Sequence, residues 1–176
     1  MAGAIIIASA IGILLLVLVG YVLVGGTLVS ADSIASAQKD MTIKKEAQMD
    51  TAIQVSNAKW FSPPTGSLHN LTFDLKNIGS EPIGDFNHTD MVISISGGVP
   101  EYYSFNGVVS GNTPGYNYSK TWGYMTITPD TIHPYMLDPG EKMGVEIDNY
   151  IISGTHPNAV VNVTTPNGIT AVGRTP

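Results

Sequence analysis

The side chains best suited to acid–base or metal chemistry are four histidines, His69, His88, His133 and His156. No two stand at i, i+2 or i+4, and neither H-x-x-E nor H-E-x-x-H occurs, so the spacings that aim two zinc ligands at one point are missing. The oxygens of Asp85, Asn87 and Asp90 are of the type that binds Ca²⁺, but their spacing departs from the EF-hand loop. They read as a solvated acidic loop, one that His88 could make pH-sensitive. With no cysteine in the chain, disulfides, thiolate metal sites and a cysteine nucleophile are excluded. Ser36 and Lys39 match S-x-x-K, without the S-D-N and K-T-G partners, and there is no G-x-S-x-G. A P-loop and G-x-G-x-x-G are also absent. The sequence therefore offers no catalytic residue, no metal site and no cofactor, and an enzyme is not expected.

Two other residue classes carry candidate sites. Asn70, Asn87, Asn117 and Asn162 each begin an N-x-S/T triplet, a glycan acceptor if the surrounding region lies outside the cell. Tyr102, Tyr103, Tyr116 and Tyr118 fall among Gly, Asn and Pro and form a candidate partner surface, since aromatic side chains are enriched at binding hot spots. The competing reading puts several of these rings in the core.

The elements that must hold these residues begin with an uncharged run. Between Met1 and Ala31 there is no charged side chain. As a helix rising about 1.5 Å per residue, Ile5 to Val29 reaches roughly 37 Å, against about 30 Å for the hydrocarbon core of a bilayer. Apolar residues lie all round that helix, leaving no face for water. Residues 1–30 thus read as a membrane-spanning helix in contact with lipid. A cleaved signal peptide would have a basic start and a shorter apolar core. Residues 31–50 hold no Gly or Pro and continue as a polar helical stalk, with a thin stripe of Ile34, Ala37 and Met41.

From Thr51 the period changes to 2. Ile53 and Val55 start a strand toward Trp60, and Leu71, Phe73 and Leu75 alternate with polar residues. So do Met91, Ile93 and Ile95, and later Met143, Val145 and Ile147. A short strand is expected over Tyr102 to Val108. Another has Trp122, Tyr124, Thr126 and Thr128 on one side and Met125 and Ile127 on the other. Val161 and Val163, Asn167-Gly168, then Ile169 and Ala171 read as a terminal hairpin. Seven or eight short strands over 51–176, with turn signals between them, predict one antiparallel, immunoglobulin-like β-sandwich. This region has ten acids to five bases, which argues against nucleic acid as a partner.

The layout is similar to that of the archaeal type IV pilin-like superfamily: an uncharged start, one apolar helix, a helical stalk and a cysteine-free sandwich. Three segments resemble the archaellum (archaeal flagellum) accessory proteins F and G. They are Asn77-Ile78-Gly79-Ser80 after a strand, Leu137-Asp138-Pro139-Gly140-Glu141 before one, and Val161 through Gly168 near the end. The polar stalk makes F the nearer of the two. The resemblance implies a single-pass membrane protein with its β domain outside, binding the surface-layer protein and holding the motor in place as a stator. It also implies other archaellum subunits as partners, among them a G-like one, and assembly into an oligomer. Lys39, Lys44 and Lys45 beside the membrane exit point to the opposite orientation by the positive-inside rule. The alternative within the superfamily is an archaellin or pilin whose helices build a filament core. Met1 standing directly before the apolar run, and no glutamate in the first turns, favour the anchor. From another class, a membrane-tethered enzyme or solute-binding domain would need a deep polar cluster.

Overall fold

The computed structural model describes residues 2–61, 68–96, 98–108, 120–151 and 158–176. One helix, α1 (Ala2–Asp50), precedes eight strands: β1 (Ile53–Phe61), β2 (Leu68–Asn77), β3 (Asp90–Ile95), β4 (Glu101–Val108), β5 (Thr121–Thr128), β6 (Lys142–Ile151), β7 (Ala159–Thr164) and β8 (Thr170–Arg174). The chain divides into two compact units, Met1–Lys45 and Glu46–Pro176, so the last helical turn belongs with the strands.

The first unit is helix alone. It runs without a break because no proline interrupts it, and its small hydroxyl side chains return to the backbone. Ser9, Thr27, Ser30 and Ser33 each donate to a carbonyl three or four residues back. Its apolar side chains, Ile5 through Val29, are exposed. Among the described residues it is the one helix long and apolar enough to cross a membrane.

In the second unit the strand order is β1-β2-β6-β5-β4-β3-β7-β8. Strand β4 joins the two layers of an eight-stranded β-sandwich. Its first residues pair antiparallel with β3, Tyr103 opposite Met91. From Ser104 it runs parallel to β5, with Phe105 opposite Trp122. One parallel pair thus stands in an otherwise antiparallel fold, because a single strand serves both layers. The core interdigitates Leu71, Phe73, Leu75, Met143, Val145 and Ile147 with Met91, Ile93, Val161 and Val163, all 2% exposed or less. Burying each such side chain stabilises by about 1.5–3 kcal/mol. Phe86, Phe105, Trp122 and Tyr124 close one end, with Phe105 and Trp122 centroids 4.8 Å apart.

Two bulges alter the expected alternation. In β5 the register slips between Tyr124 and Thr126. The extra residue, Met125, reverses the inward phase. Trp122 and Tyr124 point inward, but Thr126 and Thr128, expected on the same side as them, are exposed and Ile127 takes the buried place. In β1 the slip between Ser56 and Lys59 contains Asn57, at φ 53°, and turns Ala58 inward. Strands β1 and β8, the ends of the strand order, come together without pairing, which rolls the sandwich toward a barrel. A Cβ on Gly173 would run into the Val55 side chain. Gly173→Ala is therefore expected to cost about 1–3 kcal/mol, the usual cost of overpacking. A lowered urea midpoint with unchanged slope in equilibrium unfolding would register it.

Candidate functional site

An α-helix ends with carbonyls that have no partner within the helix. Here α1 has neither a glycine C-cap nor a basic side chain in its last turn. The strand unit supplies the donors instead. The Asp50 carbonyl accepts from Ser80 N at 2.8 Å and Glu81 N at 3.3 Å, and Ala52 O accepts from Ile78 N and Gly79 N. The Ala47 carbonyl accepts from Thr51 Oγ1 at 2.8 Å and from Asn167 Nδ2 at 3.1 Å. Asn167 Nδ2 also donates to Thr51 Oγ1, and Gln48 Nε2 donates to the Asn167 carbonyl at 2.7 Å. Position 79 must be glycine for space, since a Cβ there would overlap the Asp50 carbonyl and the Ala52 nitrogen.

Behind this collar stands Asn77, fully buried. Its Nδ2 donates to Glu81 O and Leu137 O, and its Oδ1 accepts from Gly79 N. Its main-chain N–H goes to Glu141 O, and Gly140 N returns to Asn77 O. Around it the 130–141 loop winds about two buried carboxylates. Glu141 accepts from Thr131 N and Asp138 N. Asp138, 1% exposed, accepts from His133 N at 2.9 Å and faces His133 Nδ1 at 2.8 Å. The His133 ring bond holds the Asp138 carboxyl below its usual range, against the opposing effect of burial. The three sequence segments that carry the resemblance therefore meet at one place, the junction of helix and sandwich. What this arrangement does is mechanical: buried amides and carboxylates fix a helix end to a β unit.

The sequence-predicted site residues are dispersed. Tyr103 is a core residue, 2% exposed, which removes it from the candidate partner surface, because β4 turns alternate side chains inward. Tyr102 stays outside, 52% exposed, with its hydroxyl on Asp90. Tyr116, Tyr118, Asn117 and His156 lie outside the described residues. Asn70 is half-buried in β2, and its amide donates to Glu146. Asn162 is half-buried in β7, between β3 and β8. Asn87 is exposed on the Phe86–His88 turn. Asp85 is turned to His88, 2.7 Å away, and Asp90 to Tyr102. Among the described residues no group of His, Asp and Glu could hold a metal ion. Sequence reasoning missed the junction set, Asn77, Gly79, Thr51 and Asn167, whose one visible signal was turn chemistry at element ends.

Over residues 3–174 the chain matches the model of the archaeal-type flagellin family. It belongs to that family. An archaeal-type flagellin of this layout is a structural component of the archaeal motility machinery. Among solved structures it is similar to the archaellum periplasmic stator protein FlaG from Sulfolobus acidocaldarius, at 19% identity and a TM-score of 0.49, covering 71% of this chain and 99% of that one. The periplasmic stator complex of FlaF and FlaG from the same organism is similar at 20% identity and a TM-score of 0.48, over 70% and 87%. An uncharacterised β-sandwich protein from Clostridium difficile follows at 13% and 0.35, over 72% and 86%. No curated protein sequence matches.

Two expectations follow from the geometry. Asp138 has a lowered folded-state pKa, so its contribution to stability is complete above the ordinary carboxylate value of 3.8 and is lost as pH falls through the folded value. Acid titration followed by tryptophan fluorescence should show that loss, and Asp138→Asn should flatten it. If the β unit meets a glycosylation machinery, peptide mapping should find the glycan on Asn87 and leave Asn70 and Asn162 bare.

Proposed function

We propose that this archaeal-type flagellin is a static, membrane-anchored part of the archaellum. In this reading residues 1–30 cross the cytoplasmic membrane, 31–50 form a stalk, and 51–176 lie outside it. The exterior sandwich binds the surface-layer protein and other archaellum subunits, and so holds the motor in place. The observation that carries the reading is the junction. A load on the helix reaches the β unit through the last helical turn, where Asp50 and Ala47 carbonyls are held by Ser80, Glu81 and Asn167. Several such bonds, each worth about 0.5–1.5 kcal/mol net, resist a pull better together than a flexible linker would. Tyr102, the exposed one of the two candidate tyrosines that are described, is the first residue to test at a partner surface. The resemblance to the archaellum accessory proteins, whose β domain lies outside, outweighs the three stalk lysines in assigning orientation.

A second reading is favoured by one specific observation. The flagellin family model spans the apolar helix as well as the sandwich. In that reading the helices pack as a filament core.

Shearing separates the two. Appendages are removed from cells, and the chain is quantified by mass spectrometry in filament and membrane fractions. Full-length protein in detergent is then sedimented with isolated surface layer. The anchor reading expects retention in membranes and co-sedimentation. Dominance in the sheared filament fraction would overturn it in favour of the filament subunit.

A further inference from the structure

The chain contains two Asn-Gly pairs, Asn106-Gly107 and Asn167-Gly168. Asn followed by Gly is chemically labile, because glycine leaves the next backbone nitrogen unhindered. That nitrogen attacks the Asn Cγ. The new N–Cγ bond forms as the Cγ–Nδ2 bond breaks, and ammonia departs with the proton released from the backbone nitrogen. Water then opens the five-membered imide at either carbonyl, leaving a carboxylate on a normal or a shifted backbone. No oxidant or reductant is involved.

The two pairs stand in opposite environments. Asn106 is exposed, in a stretch of β4 where the register with β5 slips between Phe105 and Val108. Asn167 is bound on every polar atom that the reaction uses. Its Nδ2, the leaving group, donates to Ala47 O and Thr51 Oγ1. Its Oδ1 accepts from Thr165 Oγ1, a residue 4% exposed. The attacking nitrogen, Gly168 N, is engaged with Thr165 O at 2.8 Å, in a turn where Gly168 has φ 87°.

We propose that Asn167-Gly168 is a latent self-modification site that the helix junction holds unreactive, and whose deamidation releases the last turn of α1 irreversibly. The release follows from the product. A carboxylate at position 167 has no N–H for the Ala47 carbonyl, and it places negative charge beside the negative end of the helix dipole. An opening of the junction, otherwise reversible, is thereby made permanent.

The test follows both asparagines in one sample. Full-length protein in detergent is incubated in mildly alkaline buffer, native and in guanidinium, and peptides are mapped by mass spectrometry. Asn167 is expected to convert at least about tenfold more slowly in the native chain than in the denatured one, since two hydrogen bonds and a local opening must be given up first. Thr51→Ala, and separately Gln48→Ala, should raise the native Asn167 rate several-fold while leaving that of Asn106 unchanged. Asn106 and circular dichroism together report whether each variant is folded. Gln48→Ala removes a single half-buried hydrogen bond, so it keeps the test open if Thr51→Ala unfolds the unit. Asn167→Asp should increase tryptic cleavage after Lys44 and Lys45 several-fold. Native conversion of Asn167 at its denatured rate would overturn the proposal. So would rates indifferent to both variants, or an unchanged tryptic pattern in Asn167→Asp.

Discussion

The rest of the β unit is arranged about the need to satisfy the open end of a helix. The carbonyl of Asp50 ends α1 with no helical partner, that of Ala47 takes side-chain donors beside it, and the chain that follows turns at once into a strand. Three separate segments converge to meet them: residues 78–81 after β2, Thr51 itself, and the turn between β7 and β8. That convergence fixes where β2 must end and where the terminal hairpin must turn. It also explains a fully buried asparagine. Asn77 satisfies two carbonyls and one N–H from inside the unit, a task no apolar side chain of its size performs.

A second constraint acts on the sandwich. Eight strands in two layers leave two ends of the strand order, and an open edge invites pairing with another chain. Here β1 and β8 are drawn together, with Gly173 permitting the approach of Val55. The bulges in β1 and β5 add local twist, which helps the layers curl toward each other. The crossing strand β4 achieves the same closure on the opposite side, at the cost of one parallel pairing. The aromatic group of Phe86, Phe105, Trp122 and Tyr124 fills the space that this crossing opens.

These features bear on function in one way. Most of the described buried polar side chains, Thr51, Asn77, Asp138, Glu141 and Thr165, lie at the helix junction and in the 130–141 loop behind it, and not around a cavity lined with nucleophiles. The carboxylates of Asp138 and Glu141 accept main-chain N–H groups, which is how a loop is stiffened without a regular element. Stiffness at that place suits a protein of the motility machinery, whose working parts bear load.

Much of this was determined by sequence alone. The uncharged run and the absence of glycine caps or proline set one long helix, because period and composition are local properties. Alternation located most of the strands, where seven or eight were expected, since Leu71-Phe73-Leu75 or Met143-Val145-Ile147 has only one way to bury one face. The Asn167-Gly168 turn was legible for the same reason: a positive φ is a local demand. Only tertiary structure decided the rest. The bulge at Met125 reversed the faces of Thr126 and Ile127, because an inserted residue is paid for across the ladder and not within the strand. Tyr103 went to the core and Tyr102 to the surface, a choice set by which face of β4 the fold turns to the core. The meeting of Asn77, Gly79, Leu137, Glu141 and Asn167 about the helix end joins residues far apart in the chain. No local pattern encodes it, since each was chosen to fit partners that only the fold brings near.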